Sequence, residues 1–500
     1  MRPPGWASRV PAAYHERVRA KALPSHEIRM KTIWSFLKNS GIFVLGSVLS
    51  RAVGFLMLPI LTAYIPPHDM GYYDLSLAYL TIVYEGVFMN IWVVVLRHMY
   101  DHEGENEKTR PIAGGLVVFS GSVVCYLSIA LVVWLVGDFQ YFWLIAAYGL
   151  MVSASYFALY VCRGYRRNLE FAMGGVIAAV VVALVNIVLL VGFGWDFSAM
   201  YIAGIAGFVA QVIYLEARVG ILRRLKRSDF ASISRRSVWS MVRYAIPIGI
   251  NAVIFWFVYS FNRVVISQVL TLQENGLFAV AMRWGSILAL VLHAMSFAWQ
   301  DIAFGRSSSD GRFFGRASTV YFVALCGAVA LVLPWVKLAF PFLVDDAYDQ
   351  ALWVVPTTLI AGVFSGYFNF VVNIFYAIKD SRAIIWGTVV ALVVNVAGVY
   401  PLIGWLGMQG ANLSMALAFL FGTLTLHWIL KTKIGYRFNH ALAGLGVLLP
   451  IGAMVLYFQA STPVNVLVGT VAGIVIFAAL WHRFRDPLRA YFRQRTARSS

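Results

Sequence analysis

The chain has 500 residues, 60% of them hydrophobic and only 12% charged, with a mean hydropathy of +0.75. Soluble globular chains run nearer about 45–50% apolar and about 25% charged, so a soluble enzyme or binding module is excluded. The net charge of +18 does not mark a nucleic-acid binder, because the basic residues sit in connections and at the two ends rather than on a face interleaved with aromatics.

Residues 1–39 are polar and carry eight Lys/Arg together with Pro3, Pro4, Pro11 and Pro24. They lack the apolar core and small-residue cleavage site of a signal peptide, and are expected to form a disordered basic segment in the cytoplasm. Met30 opens MKTIWSFLKNSG, which reads as a natural start just before the first apolar run. Apolar runs of span length then follow at 40–62, 72–96, 112–136, 141–162, 171–193, 199–217, 244–267, 276–299, 318–340, 353–377, 383–403, 409–430, 440–459 and 464–482. Each suffices to cross a hydrocarbon core of about 30 Å at about 1.5 Å per residue. The expected fold is therefore an all-α membrane protein of about fourteen helices, ending in a basic cytoplasmic tail over 483–500.

Charge sets the expected orientation. Of the 40 Lys and Arg residues, 36 fall in the termini or the even-numbered connections, and the other side holds only Lys337 at a span end. Positive residues stay inside, so both termini are expected in the cytoplasm.

A weak internal repeat is also present. VVVALVNIVLL in span five matches VVALVVNVAGV in span eleven, aligning Asn186 with Asn395, while Gly71-Tyr72-Tyr73 and Gly276-Leu277-Phe278 open spans two and eight. Six helices separate the equivalents. The two halves, 40–217 and 244–430, would thus be parallel six-helix bundles joined by a basic cytoplasmic linker over 218–243, with helices thirteen and fourteen, 440–482, outside the repeat. Two such halves suggest a transporter that holds its substrate between them and alternates access by rocking.

Several patches resemble the polysaccharide-transporter (O-antigen flippase) branch of the multidrug/oligosaccharidyl-lipid/polysaccharide exporter superfamily. The first runs through Asn39, Gly46-Ser47, Ser50-Arg51, Gly54-Phe55 and Leu58-Pro59-Ile60-Leu61-Thr62 to Gly71-Tyr72-Tyr73-Asp74-Leu75. The second is Arg243-Tyr244-Ala245-Ile246-Pro247, and the third Asn395, Tyr400-Pro401-Leu402-Ile403-Gly404, Gly407 and Gly410-Ala411. Together they cover roughly 38–430 in register. One departure is Asn262-Arg263, where the family commonly has an acid before the arginine; this puts proton coupling at that site in doubt. The resemblance implies a non-enzymatic carrier in the bacterial inner membrane. It would move an undecaprenyl-diphosphate-linked oligosaccharide from the cytoplasmic to the outer leaflet, with spans thirteen and fourteen offering a groove for the lipid tail. Implied partners are that lipid-linked substrate, membrane lipids, and the glycan polymerase and glycosyltransferases of the same pathway.

Ionisable groups inside spans cost about 2.5–3.5 kcal/mol on insertion scales and so call for a function. Arg51 lies about 17 Å from the cytoplasmic end of span one and Glu85 about 20 Å from the outer end of span two. Arg51 reads either as a bidentate diphosphate ligand or as the partner of Glu85 in a structural ion pair. Arg263 and Arg283, with Asn262, are candidates for the outer part of an anion path; snorkelling to headgroups is the alternative for Arg263. His293 is a candidate coupling group or a simply hydrogen-bonded histidine. Asn90, Asn186, Asn251, Asn369, Asn373 and Asn395 read first as interhelical glue. Cys125, Cys162 and Cys326 show no metal or disulfide spacing, and no GxxxxGK[ST] loop or catalytic constellation occurs, so no cofactor, metal or nucleotide chemistry is expected. The competing readings are a drug or small-cation antiporter of the same superfamily and a membrane glycan polymerase or ligase. Liposome reconstitution separates these, because only the polymerase or ligase changes covalent structure.

Overall fold

The computed structural model describes residues 49–102, 104–304 and 310–474, without the side chains of 287–298, 300–302, 304 and 381. The expected segment 1–39, the start of span one, the end of span fourteen and the tail 483–500 lie outside the described residues.

In chain order the helices are α1 (Leu49–Tyr64), α2 (Pro67–Phe88), α3 (Ile91–Met99), α4 (Thr109–Val136), α5 (Phe142–Gly164), α6 (Asn168–Asn186), α7 (Ser198–Val219), the short α8 (Arg227–Ala231), α9 (Arg235–Tyr259), α10 (Phe261–Val269) and α11 (Leu272–Phe304). They continue with α12 (Gly311–Leu343), α13 (Val355–Ala377), α14 (Ser381–Leu406), α15 (Met408–Ile434), α16 (His440–Gln459) and α17 (Thr462–Ile474). Among the described residues there is no strand. This is the expected outcome in lipid, where a helix satisfies its own backbone and an open sheet edge cannot.

Ten of these helices are long and apolar enough to cross a membrane, and α2 with α3 forms an eleventh, bent by 44°. The other expected spans fall on α1, α11 and α17, of which the first and last run out of the described residues. Lipid-facing apolar residues stay exposed, Val136 at 86% and Trp405 at 79% among them. A soluble protein would not expose a surface of this kind. By contrast α13 is mostly buried.

Three boundaries differ from expectation for local reasons. The expected linker 218–243 is largely helical: α9 starts at Arg235, where Ser234 caps it by accepting from the Ser237 N–H at 3.1 Å. Span seven breaks at Ser260 into α9 and α10. Span two breaks at Met89 and Asn90, which both adopt left-handed conformations with φ of 49° and 51°. Two consecutive non-glycine residues in that region end the α2 hydrogen-bond ladder and start a new helix at an angle.

The connections at Ile65–Pro66 and Leu270–Thr271 lie on one face; the basic connections, including 218–234 and 435–439, lie on the other. At the Pro66 face α2 crosses α11 backbone to backbone. A Cβ on Gly71 would stand 1.7 Å from the Leu272 carbonyl oxygen, and one on Gly276 would stand 1.9 Å from the Pro67 oxygen. Only glycine permits so close an approach at either position. Each glycine meets the residue four places before the other, so the crossing is reciprocal. Asn275 Nδ2 donates to Gly71 O at 2.8 Å, and Tyr348 Oη donates to Ile65 O at 2.6 Å, tying the α1–α2 connection and the start of α2 to later parts of the chain.

Candidate functional site

Below that crossing lies a cavity of about 350 Å³ whose lining includes Arg51, Phe55, Tyr73, Tyr148, Asn186, Arg283 and Ser286. It brings together residues from α1, α2, α5, α6, α7 and α11. Arg51 and Phe55 are one helical turn apart on α1 and share a face. Phe55 meets the Trp284 ring edge-on at 5.1 Å, and Trp284 stacks on Phe340 of α12 at 5.7 Å. Trp284 is 3% exposed, so this packing fixes the rotation of α11 and aims the preceding residue, Arg283, into the cavity. Tyr73 packs on Tyr201 at 4.9 Å, while Tyr201 Oη and Ser76 Oγ hydrogen-bond at 2.6 Å.

The electrostatics of this cavity are one-sided. Among the described residues neither Arg51 nor Arg283 has a carboxylate within 4 Å; the side-chain contact of the Arg283 guanidinium is Met70 Sδ at 3.7 Å, a weak acceptor. Asp74 lies within electrostatic range of Arg283 but is engaged by Arg263 Nε at 2.7 Å. Two guanidiniums, with ten N–H donors between them, therefore face a membrane-embedded cavity without an ion-paired carboxylate among the described residues.

The other expected site residues fall elsewhere. Arg263 belongs to the Asp74 ion pair and also donates to Tyr259 O at 3.1 Å, so it is neutralised at a contact between the halves and does not line the two-arginine cavity. Asn262 is 2% exposed: it donates to Ala411 O at 2.8 Å and accepts from Asn395 Nδ2 at 2.9 Å. Asn395 also accepts from Ser414 Oγ at 3.0 Å, making an interhelical hub of α10, α14 and α15. Glu85 sits on α2 one turn before the Met89–Asn90 break, and no ion pair joins it to Arg51 among the described residues. His293 lies on α11 where side chains are outside the description. Asn186 lines the cavity, bonded through Nδ2 to Val182 O at 3.0 Å, with its Oδ1 left without a protein partner. No cluster of three His, Cys, Asp or Glu residues suited to a metal ion occurs among the described residues.

Three participants escape a reading by residue type. Tyr148 reads as an ordinary aromatic in a span; its signal is the run of tyrosines that continues along α5 at Tyr156 and Tyr160, eight and twelve residues on. Asp74 lies inside a quoted family patch, yet only its distance to Arg263 reveals what it neutralises. Asn275, fully buried, is one more apparent glue residue until its bond to Gly71 places it at the crossing.

A family model described as "Polysaccharide biosynthesis protein" matches residues 36–299. The chain belongs to this family. Among solved structures, the fold is similar to that of the lipid II flippase MurJ in an inward closed conformation, with a TM-score of 0.65 at 12% identity over 89% of this chain and 99% of that one. It is also similar to an inward-facing multidrug resistance MATE family transporter of the MOP superfamily, with a TM-score of 0.60 at 12% identity over 83% and 96% of the two chains. The MATE structure in complex with MaD3S gives 0.55 at 13% identity over 82% and 96%. At such identities the likeness shows a shared fold, and it spans nearly the whole length of those proteins. Comparison with curated proteins returns no match.

Proposed function

We propose that this multi-pass membrane protein is a non-enzymatic carrier that moves an undecaprenyl-diphosphate-linked oligosaccharide, a repeat unit of a cell-surface polysaccharide or O-antigen. Movement is from the cytoplasmic to the outer leaflet of the bacterial inner membrane, by alternating access. The observation that carries the proposal is the pair Arg51 and Arg283, facing one cavity without a carboxylate partner among the described residues. A diphosphate supplies the missing charge and accepts from both planar forks. Membership in a polysaccharide biosynthesis family and a fold shared with a lipid II flippase support the substrate class. On this reading fourteen helices span the membrane with both termini in the cytoplasm. The Pro66 face is then the outer one, and the reciprocal Gly71 and Gly276 contacts favour two parallel halves.

Purified protein in liposomes tests the proposal, with the leaflet of a lipid-linked oligosaccharide as readout. Transport falls in the order wild type, Arg51→Lys, Arg51→Ala, because lysine keeps the charge but loses the planar fork. Arg283→Ala behaves like Arg51→Ala. The glycan's covalent structure stays unchanged throughout; extension or transfer of the glycan would favour a polymerase or ligase. The drug or cation antiporter reading draws on Glu85, an embedded carboxylate without an ion-pair partner among the described residues, and on the MATE-like fold. It requires Glu85→Gln to abolish export of a cationic dye while Arg51→Ala spares it. Full oligosaccharide transport by Arg51→Ala,Glu85→Ala would defeat the diphosphate role of Arg51.

A further inference from the structure

The two-arginine cavity accounts for a diphosphate but not for the sugars attached to it. Beside the cavity, α5 carries Tyr148, Tyr156 and Tyr160 in turn from the cavity toward its basic end, each within electrostatic range of the next. Helix α5 is packed by α2, α3, α4, α6 and α7, and its Tyr156 side chain remains 37% exposed. The Tyr156 ring lies on Trp92 of α3 with centroids 5.3 Å apart and planes 28° from parallel, and Trp92 is only 2% exposed. One face of Tyr156 is thus backed by a buried indole, and part of the side chain stays open. Arg51 and Glu85 both lie within electrostatic range of its hydroxyl, and Tyr84 hydrogen-bonds to it.

We infer that Tyr156, backed by Trp92 and flanked by Glu85, is a sugar-binding subsite for the glycan portion of the substrate. The inference rests on the carrier proposed above and deepens it. A pyranose presents a face of C–H bonds that packs on an aromatic ring, whose negative face attracts the slightly positive hydrogens. Its equatorial hydroxyls point outward, where a carboxylate accepts two of them at once. The ring held rigid by Trp92 and the carboxylate of Glu85 match both needs. Tyr148 at the arginines and Tyr156 are separated by eight residues, about 12 Å of helix. The subsite therefore reads sugars beyond the one that bears the diphosphate. Recognition through a ring face and hydroxyl pairs selects for the presence of a glycan more than for its identity.

The test compares two probes bound to the purified full chain in nanodiscs by native mass spectrometry. One probe is undecaprenyl diphosphate; the other is the lipid-linked oligosaccharide pool extracted from the source cells. Wild type binds the glycosylated probe more tightly. Tyr156→Ala weakens that probe by about three- to tenfold and leaves the bare diphosphate unchanged. Tyr156→Phe keeps the preference because the ring face survives, and Glu85→Gln reduces it. Arg51→Ala weakens both probes alike. If Tyr156→Ala leaves the ratio of affinities intact while Arg51→Ala weakens both probes, the subsite is refuted and the carrier reading stands. If wild type binds neither probe, the carrier reading fails and the subsite with it.

Discussion

Replacing Gly71 with alanine tests whether the Pro66 end acts as a gate between the halves. The added methyl would lie 1.7 Å from the Leu272 carbonyl oxygen. A carbon approaches a carbonyl oxygen comfortably only to about 3.3 Å, so α2 and α11 must part there by about 1.6 Å. The obstacle is backbone, which cannot swing aside as the tip of a side chain would. Parting the helices also strains the Asn275 bond to Gly71 O and the Tyr348 bond to Ile65 O. Overpacking of this kind costs about 1–3 kcal/mol. Charged against the closed arrangement alone, that changes its population relative to the open one by about 5–150-fold. Gly276→Ala, at 1.9 Å from Pro67 O, should act in the same direction. The assay places a cysteine at Ser286, which lines the cavity, in a chain stripped of Cys125, Cys162 and Cys326, and labels intact cells with an impermeant maleimide. Labelling from outside should rise and transport should fall, with the protein inserted at normal abundance. Unchanged labelling and transport in both alanine variants would refute the gate.

Asp74→Ala should lower the melting temperature of the purified protein more than Asp74→Ala with Arg263→Ala does, because the single change strands a charge in a pair that is about four-fifths shielded from solvent. Arg51→Ala, which breaks no ion pair, should leave the melting temperature near wild type. Reporter fusions after residues 137, 196, 272, 346, 405 and 461 should all report the outer side; an inside signal from two adjacent sites would remove a helix pair from the fourteen.

Helix existence was plain in the sequence because hydropathy is a local property: runs such as Thr109–Val136 and His440–Gln459 must be helices wherever they pack. Breaks were less legible. Asn90 is of a type that enters the left-handed region, but nothing in the composition announces that Met89 joins it, and α9 begins nine residues before its expected start because its first turns are polar yet capped. The site divided in the same manner. Arg51 and Arg283 stood out because a charge in a span is rare, but their sharing of one cavity depends on Phe55, Trp284 and Phe340 packing across three helices. Arg263 looked equivalent to them by residue type. Its difference lies in Asp74, 189 residues away in sequence and 2.7 Å away in space.

That difference gives the three arginines separate consequences for a carrier that must change conformation. Arg263 brings its own counter-ion, so the contact it makes between the halves is complete whether or not substrate is present. Arg51 and Arg283 have none among the described residues, and each charge left unpaired in a water-poor interior carries a penalty of a few kcal/mol on insertion scales. An empty cavity retains those charges most cheaply while water reaches them; a dry, occluded intermediate between the two open states raises their cost. A bound diphosphate reverses the sign of that term by pairing both guanidiniums. On the proposed reading the loaded carrier therefore passes through occlusion more readily than the empty one, since a ligand shifts a conformational equilibrium only by its differential affinity for the two states. Substitution of both arginines by glutamine should flatten that difference: the rate of conformational exchange, read by maleimide labelling at position 286, would no longer respond to added undecaprenyl diphosphate. A response of wild-type size in the double variant would place the coupling elsewhere than at Arg51 and Arg283.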